Sequence, residues 1–102
     1  MKNLTLIVHT DIKQALADAL RDLKEVEGFT FTQVEGHGPQ GASDAFLSAR
    51  DHVVGYVPHV RVDLVLDDAD VDKVLAALQA SSHGVAGRGV YWVTHLERQG
   101  RL

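Results

Sequence analysis

Six histidines stand among 102 residues, and their neighbours decide what chemistry they could do. His37, His52 and His59 lie in or beside one long aperiodic stretch, residues 36–59; His9, His83 and His95 lie where periodic segments stop. A neutral imidazole suits zinc, copper, nickel or cobalt. His37, His52 and His59 are therefore candidate metal ligands, with Asp44 and Asp51 able to complete a nitrogen and oxygen set. No two histidines show the His-x-x-x-His spacing that would hold one ion on a helix, so a metal site would have to assemble from distant positions, across an interface. The plainer reading is that these are solvated or hydrogen-bonded imidazoles. A second candidate is the turn built on Gly84, Gly87 and Gly89. Its backbone N–H groups could cradle an anion, with His83 beside it as a hydrogen-bond donor to a phosphate; its plain alternative is a helix-to-strand turn that needs positive φ. Ser43, Ser48 and Ser82 have His or Asp nearby, but no nucleophile-elbow motif accompanies them, and an enzyme is not expected.

The elements that would position these residues can be read from period. Leu4, Leu6 and Val8 alternate with Thr5 and Ile7, predicting a strand. Asp11 followed by Gln14 predicts a capping box, and Ile12, Leu16, Leu20 and Leu23 predict the apolar face of a helix that runs until Gly28. Residues 29–35 predict a second strand, with Phe29, Phe31 and Gln33 on one face and Thr30, Thr32 and Val34 on the other. Beyond Pro58, Val60, Val62, Leu64 and Leu66 alternate with Arg61, Asp63 and Val65, a third strand. Asp67 and Asp68 are N-cap candidates for a second helix. Its stripe, Val71, Val74, Leu75 and Leu78, falls at i, i+3, i+4 and i+7, and the run Ser81-Ser82-His83-Gly84 ends it. Residues 90–96 give a fourth strand before a polar tail.

The order β-α-β-loop-β-α-β predicts an α+β, ferredoxin-like βαββαβ fold: one antiparallel four-stranded sheet with both helices on one face, in a single domain over residues 1–102. The other sheet face would be open, with Phe31, Val65 and the Tyr91-Trp92 pair placing apolar area on it or at its edge; such a face normally packs against something, and three copies with their sheets turned inward would cover it. A connection of about 20 residues is unusual in so small a domain, and functional residues gather on loops held by a rigid scaffold. Phe46, Leu47, Val53, Val54 and Tyr56 are too apolar for a purely solvated loop, so they either pack down on an assembly or insert into a partner.

Composition narrows the function classes. The chain is 45% hydrophobic with net charge −4, which argues against unspecific nucleic-acid binding. No apolar run reaches the length of a membrane span, so no membrane insertion is expected, and the N-terminal MKNLTLIVHTD reads as a strand and not a signal peptide. Without cysteine there are neither disulfides nor thiolate metal sites, which fits a cytoplasmic protein.

Gly28-Phe29-Thr30-Phe31-Thr32-Gln33-Val34-Glu35-Gly36-His37-Gly38-Pro39-Gln40 resembles the Gly-x-Thr-x-Thr-x-Val-x-Gly-x-Gly-x-Gln segment that leads into the T-loop of PII signalling proteins. Tyr56-Val57-Pro58-His59-Val60-Arg61-Val62-Asp63 resembles the exit from that loop, and Gly84-Val85-Ala86-Gly87-Arg88-Gly89-Val90 the B-loop. The resemblance covers nearly the whole chain. It implies a homotrimer that binds an effector in the cleft between subunits and signals through its T-loop, with no enzymatic activity. The effector-binding residues it implies are Gly36, His37, Gly38, Gln40, His59, His83, Gly84, Gly87, Arg88, Gly89 and Arg101. The Gly36-His37-Gly38 and Tyr91-Trp92-Val93 segments, with the tail ending at Leu102, look more like a divergent PII-like group that accompanies heavy-metal efflux systems.

There are departures. Val85 and Val90 stand where the family has lysines, His59 replaces the lysine after the loop's proline, and Arg101 alone stands for a pair of C-terminal arginines. Each lost charge-assisted phosphate contact costs roughly 1.5–3 kcal/mol, so triphosphate binding should weaken greatly, with Arg88 able to replace one contact. His52 aligns with the tyrosine that some bacterial PII proteins carry for uridylylation, so that modification is not expected. The implied effector is an adenine nucleotide, another anion or a divalent metal ion. The implied partner is a membrane transporter, reached through loop 38–58. The alternative is a trimeric metal-binding protein that senses or buffers a divalent ion.

Overall fold

The computed structural model describes residues 1–37 and 57–102. Strand β1 (Lys2–His9) leads through a 3-10 turn (Thr10–Ile12) into helix α1 (Lys13–Arg21); β2 (Thr30–Gly36) and β3 (Val57–Leu66) follow. A second 3-10 turn (Asp68–Asp70) opens helix α2 (Val71–Ala80), and β4 (Gly89–His95) completes the sheet. The strand order is β2-β3-β1-β4, antiparallel at every pairing. This is the ferredoxin-like βαββαβ arrangement expected from the order of elements.

Register decides the two faces. Leu4 pairs with Leu64, Leu6 with Val62 and Val8 with Val60, and all six are buried. Because side chains alternate along a strand, these pairs make one apolar face, closed by Ile12, Leu16, Ala19 and Leu20 from the first helical segment and by Val71, Val74 and Leu78 from α2. The opposite face carries Thr5, Ile7 and His9 against Asp63, Arg61 and His59, with Val90 and Trp92 beside them on β4. Val65 and Trp92 are exposed there. Phe31 is not on this open face: it pairs with Val62, which puts it on the helix side, edge-on to Phe29 at 5.5 Å between ring centroids. Tyr91, opposite Leu6, also belongs to the helix side.

Three local expectations are corrected. The capping box does not form. The cap is His9, whose Nδ1 accepts the Asp11 N–H at 3.0 Å, while Gln14 turns outward and donates to Asp18 one helical turn on. Helix α1 stops at Arg21, well before Gly28: the Asp22 and Leu23 N–H groups close on the Asp18 and Leu20 carbonyls, and the chain tightens so that Leu23 packs on the core. Neither Asp67 nor Asp68 caps α2 with its side chain; Asp68 instead binds the N-terminal ammonium at 2.9 Å and lies 3.6 Å from the Lys2 ammonium. The limits of β2 and β4 shift by one residue from expectation, β1 begins two residues earlier than its alternation, and β3 begins three residues earlier, at Val57, so that Pro58 lies inside it.

Candidate functional site

One end of the sheet gathers most of the predicted site. Gly36 pairs with Val57, His9 with His59, and Val8 with Gly89, so the start and end of loop 38–56 and the glycine turn all emerge at that end. At the loop base, a methyl group on position 36 would overlap the His59 ring. Glycine here lets that imidazole lie flat over the backbone, with Nδ1 2.9 Å from the Val57 carbonyl oxygen. That bond places the proton on Nδ1 and leaves Nε2 as an acceptor. The His9 and His59 rings meet edge to face at 6.0 Å, and both are buried. His37, by contrast, is exposed, its Nε2 3.2 Å from Glu35. Gly38, Gln40 and His52 lie outside the described residues.

The turn after α2 holds the second half of the site. Gly84 and Gly87 have φ of +79° and +71°, the left-handed region that side chains disfavour. The Arg88 N–H closes the turn on the Val85 carbonyl at 3.1 Å, and Arg88 is half-buried. Gly89 is glycine for a different reason: a Cβ there would strike the Ile7 carbonyl oxygen of the neighbouring strand. Under the turn, between α2 and β4, an apolar cavity of about 230 Å³ is bordered by Leu75, Leu78, Val85 and Tyr91. His83 donates through Nε2 to the Asp22 carboxylate at 3.0 Å, tying the turn to the end of α1. The sequence offers it as a donor to a phosphate; in the structure its Nε2 faces the Asp22 carboxylate. Arg101 lies in the exposed tail beyond β4.

The two halves do not meet within one subunit. Gly36 is on the edge strand β2 and Gly89 on the opposite edge, β4, three strand spacings or about 14 Å apart. Two glycines at positive φ shape the turn, Arg88 is the charged residue within it, and valine stands at 85 and 90. Among the described residues of one copy no three His, Asp or Glu side chains cluster as a metal site.

Sequence reading missed two features. Asp22 lies 61 residues from His83, and only the packing of the two helices unites them. On the open face, Asp63 accepts hydrogen bonds from Thr5 at 2.8 Å, Asn3 at 3.2 Å and the Arg61 Nε at 2.9 Å, while the Arg61 guanidinium lies 5.8 Å from the Trp92 ring. The Arg61 hydrogen bonds, with help from Thr5 and Asn3, hold the Asp63 carboxyl below its ordinary range, and Asp63 in turn raises Arg61. The alternation of β3 places Arg61 and Asp63 on one face, but nothing in the sequence says that Thr5 and Trp92 sit beside them.

A family model described as "Protein of unknown function (DUF3240)" matches residues 1–102. The nitrogen regulatory protein P-II of Azospirillum brasilense is 27% identical over 103 residues, covering 100% of this chain and 91% of its own. Nitrogen regulatory protein GlnK of Escherichia coli is 26% identical with the same coverage. The crystal structure of a DUF3240 family protein from Shewanella baltica superposes with a TM-score of 0.76 at 22% identity, covering 99% of this chain and 94% of that one. That likeness shows the fold, and the matches over the full length show the kinship: the chain belongs to the DUF3240 family, a divergent PII-like group.

Proposed function

We propose that this protein is a non-enzymatic, PII-like regulatory protein in which residues 1–102 act as one unit and three copies assemble. An effector binds in the cleft between neighbours, bordered by Gly36 and His37 of one copy and the 84–89 turn of the next. One observation carries the reading: the loop base and the glycine turn share an end of the sheet but occupy opposite edges, so only a second copy can bring them together. A ring of head-to-tail contacts does this for every copy at once. Binding shifts the segment between β2 and β3 between two states, one of which engages its partner, driven by differential affinity for the two. A membrane transporter is the partner proposed, with the protein itself cytoplasmic. Among the described residues no helix is long and apolar enough to cross a membrane.

The depleted cation set favours a smaller anion or a nucleotide bound mainly through backbone N–H groups. A second reading rests on His59: with Nδ1 held by the Val57 carbonyl, its Nε2 is the lone pair a divalent metal takes. Calorimetric titration separates the two. Heat with ATP, ADP or AMP that vanishes in Gly87→Asp supports the anion cleft; heat with zinc, copper or nickel that vanishes in His59→Ala supports the metal. Silence with every ligand overturns the effector reading.

A further inference from the structure

Among the described residues two strands have one side unpaired: β2 and β4, the ends of the order β2-β3-β1-β4. Each is seven residues long. Every pairing between them is antiparallel, so β2 and β4 run in opposite directions. An edge strand presents a row of unpaired N–H and C=O groups, and charged side chains are a usual guard against a second strand. Neither edge is guarded in this way: residues 30–34 and 89–94 carry no charged side chain. The faces match as well. Thr30, Thr32 and Val34 lie opposite Asp63, Arg61 and His59, on the open face; Val90, Trp92 and Thr94 lie opposite Ile7, Thr5 and Asn3, on the same face. Phe31 and Gln33 share the helix side with Tyr91 and Val93. A strand laid beside β4 keeps its faces only in registers that differ by two residues. One of these sets Val34 against Val90, Thr32 against Trp92, Thr30 against Thr94 and Phe31 against Val93, β-branched and aromatic pairs of the kind that stabilise cross-strand neighbours. It leaves Glu35 opposite Gly89. The register two residues away sets the Glu35 carboxylate against Tyr91 and Phe31 against His95.

We propose that β4 of each copy takes β2 of the next copy as its neighbouring strand, antiparallel, with Val34 opposite Val90, so that each sheet continues into the next. Three observations make a second copy of this chain the occupant. The two edges are equal in length and opposite in direction, as a head-to-tail contact between antiparallel strands requires. The seam ends with Glu35 opposite Gly89, so Gly36 and His37 of one copy emerge beside the 84–88 turn of the next. Arg88 then falls opposite Gly36, one residue from the Glu35 carboxylate, and the charges at that end are complementary. On the helix side, Phe31 of the next copy lies diagonal to Tyr91, which borders the apolar cavity between α2 and β4, a spacing that aromatic side chains span. The proposal rests on the shared-cleft reading; what it adds is the backbone that joins the copies and the register in which it does so.

The chain has no cysteine, so thiols can be introduced without background. Val34→Cys with Val90→Cys, and Thr30→Cys with Thr94→Cys, place thiols at facing positions, where Cα atoms about 4.5–5.5 Å apart allow a disulfide. Within one copy the same positions are three strand spacings or about 14 Å apart, too far to bridge. Oxidation of either double variant in dilute solution should shift the mass on a non-reducing gel from 11.1 kDa to three times that value, a closed ring that reductant opens. Single variants should stay at 11.1 kDa. Thr32→Cys with Thr94→Cys, matched only in the register two residues away, should link poorly. Amide exchange of the unaltered chain is the second readout: the β4 amides that β1 leaves unbonded should exchange slowly, and faster once dilution separates the copies. A three-subunit wild type whose first two double variants do not link overturns the seam while the cleft stands. Preferential linking of position 32 to position 94 overturns the register. Slow β4 amides in a lone subunit mean that the chain covers its own edge, and fast ones in a lone subunit mean that nothing does; either overturns the seam and the shared cleft together. A linked ring that gives no heat with ATP, inorganic phosphate or zinc upholds the seam and removes the effector reading.

Discussion

At the scale of single residues, the Asp63 carboxylate offers the sharpest prediction because its partners are many and fixed. Its pKa in the fold lies below its value in an unfolded chain, first through Arg61 and then through Thr5 and Asn3. A group of this kind contributes its stability in full above the unfolded value, near pH 4, and loses it as pH falls through the lower folded value. Urea midpoints measured from pH 6 down to pH 2 should therefore fall more steeply for wild type than for Asp63→Asn. Asp63→Ala should cost roughly 1–2 kcal/mol at neutral pH, since charged hydrogen bonds are lost together. A second residue-scale prediction concerns Gly36→Ala. The added methyl must displace the His59 ring from the Val57 carbonyl, and overpacking of this sort costs about 1–3 kcal/mol. The matching change at Gly28, where the space is open, should cost far less in the same urea titration. Both glycines were visible in the sequence as parts of one motif. Which of them is sterically required was not, because that depends on the ring that β3 lays against β2.

Among elements, alternation and helical stripes were legible because burial on one face imposes a period, which β3 and both helices follow, whereas β4 is exposed along its whole length. What escaped were the ends. Asp11 has the chemistry of a cap, yet the strand delivers the His9 ring to the Asp11 N–H first, and Gln14 is drawn to Asp18. His9→Ala should consequently destabilise the fold by about 1 kcal/mol, the usual value of an N-cap, whereas His9→Asn, which retains an acceptor on a short side chain, should recover much of it. Asp11→Ala, by contrast, leaves the capping bond in place, since only its backbone N–H takes part. Chemical denaturation of the three variants decides between the two caps. The candidate site divides in the same way. The glycine turn was readable from three glycines and a preceding helix stop, and two of the three do adopt positive φ. The union of His83 with Asp22, and of Asp63 with Thr5, needed the packed tertiary structure, for which no local pattern stands in.

For the whole molecule, the unanswered demand is the surface. Val90, Tyr91, Trp92 and Val93 are all exposed on β4, an edge strand with apolar side chains on both faces and no acidic or lysine residue to discourage pairing. A long apolar edge left open invites aggregation, so a chain that stays dispersed must cover it, and the proposed trimer does so with the same contact that completes the effector cleft. Sedimentation equilibrium should give three times the 11.1 kDa subunit mass. Trp92 is the chain's single tryptophan and therefore reports directly on this surface. Its emission should be blue-shifted in the assembly and move red as dilution or mild urea separates the copies, before the far-ultraviolet signal of the helices is lost. Trp92→Asp should shift the mass toward one subunit while leaving the core pairs of β1 and β3 intact. It should also eliminate effector binding, although position 92 lies outside the proposed cleft. Loss of assembly without loss of binding would mean that a lone subunit suffices, and with Gly36 and Gly89 at opposite edges of its sheet the shared cleft would then have to be given up.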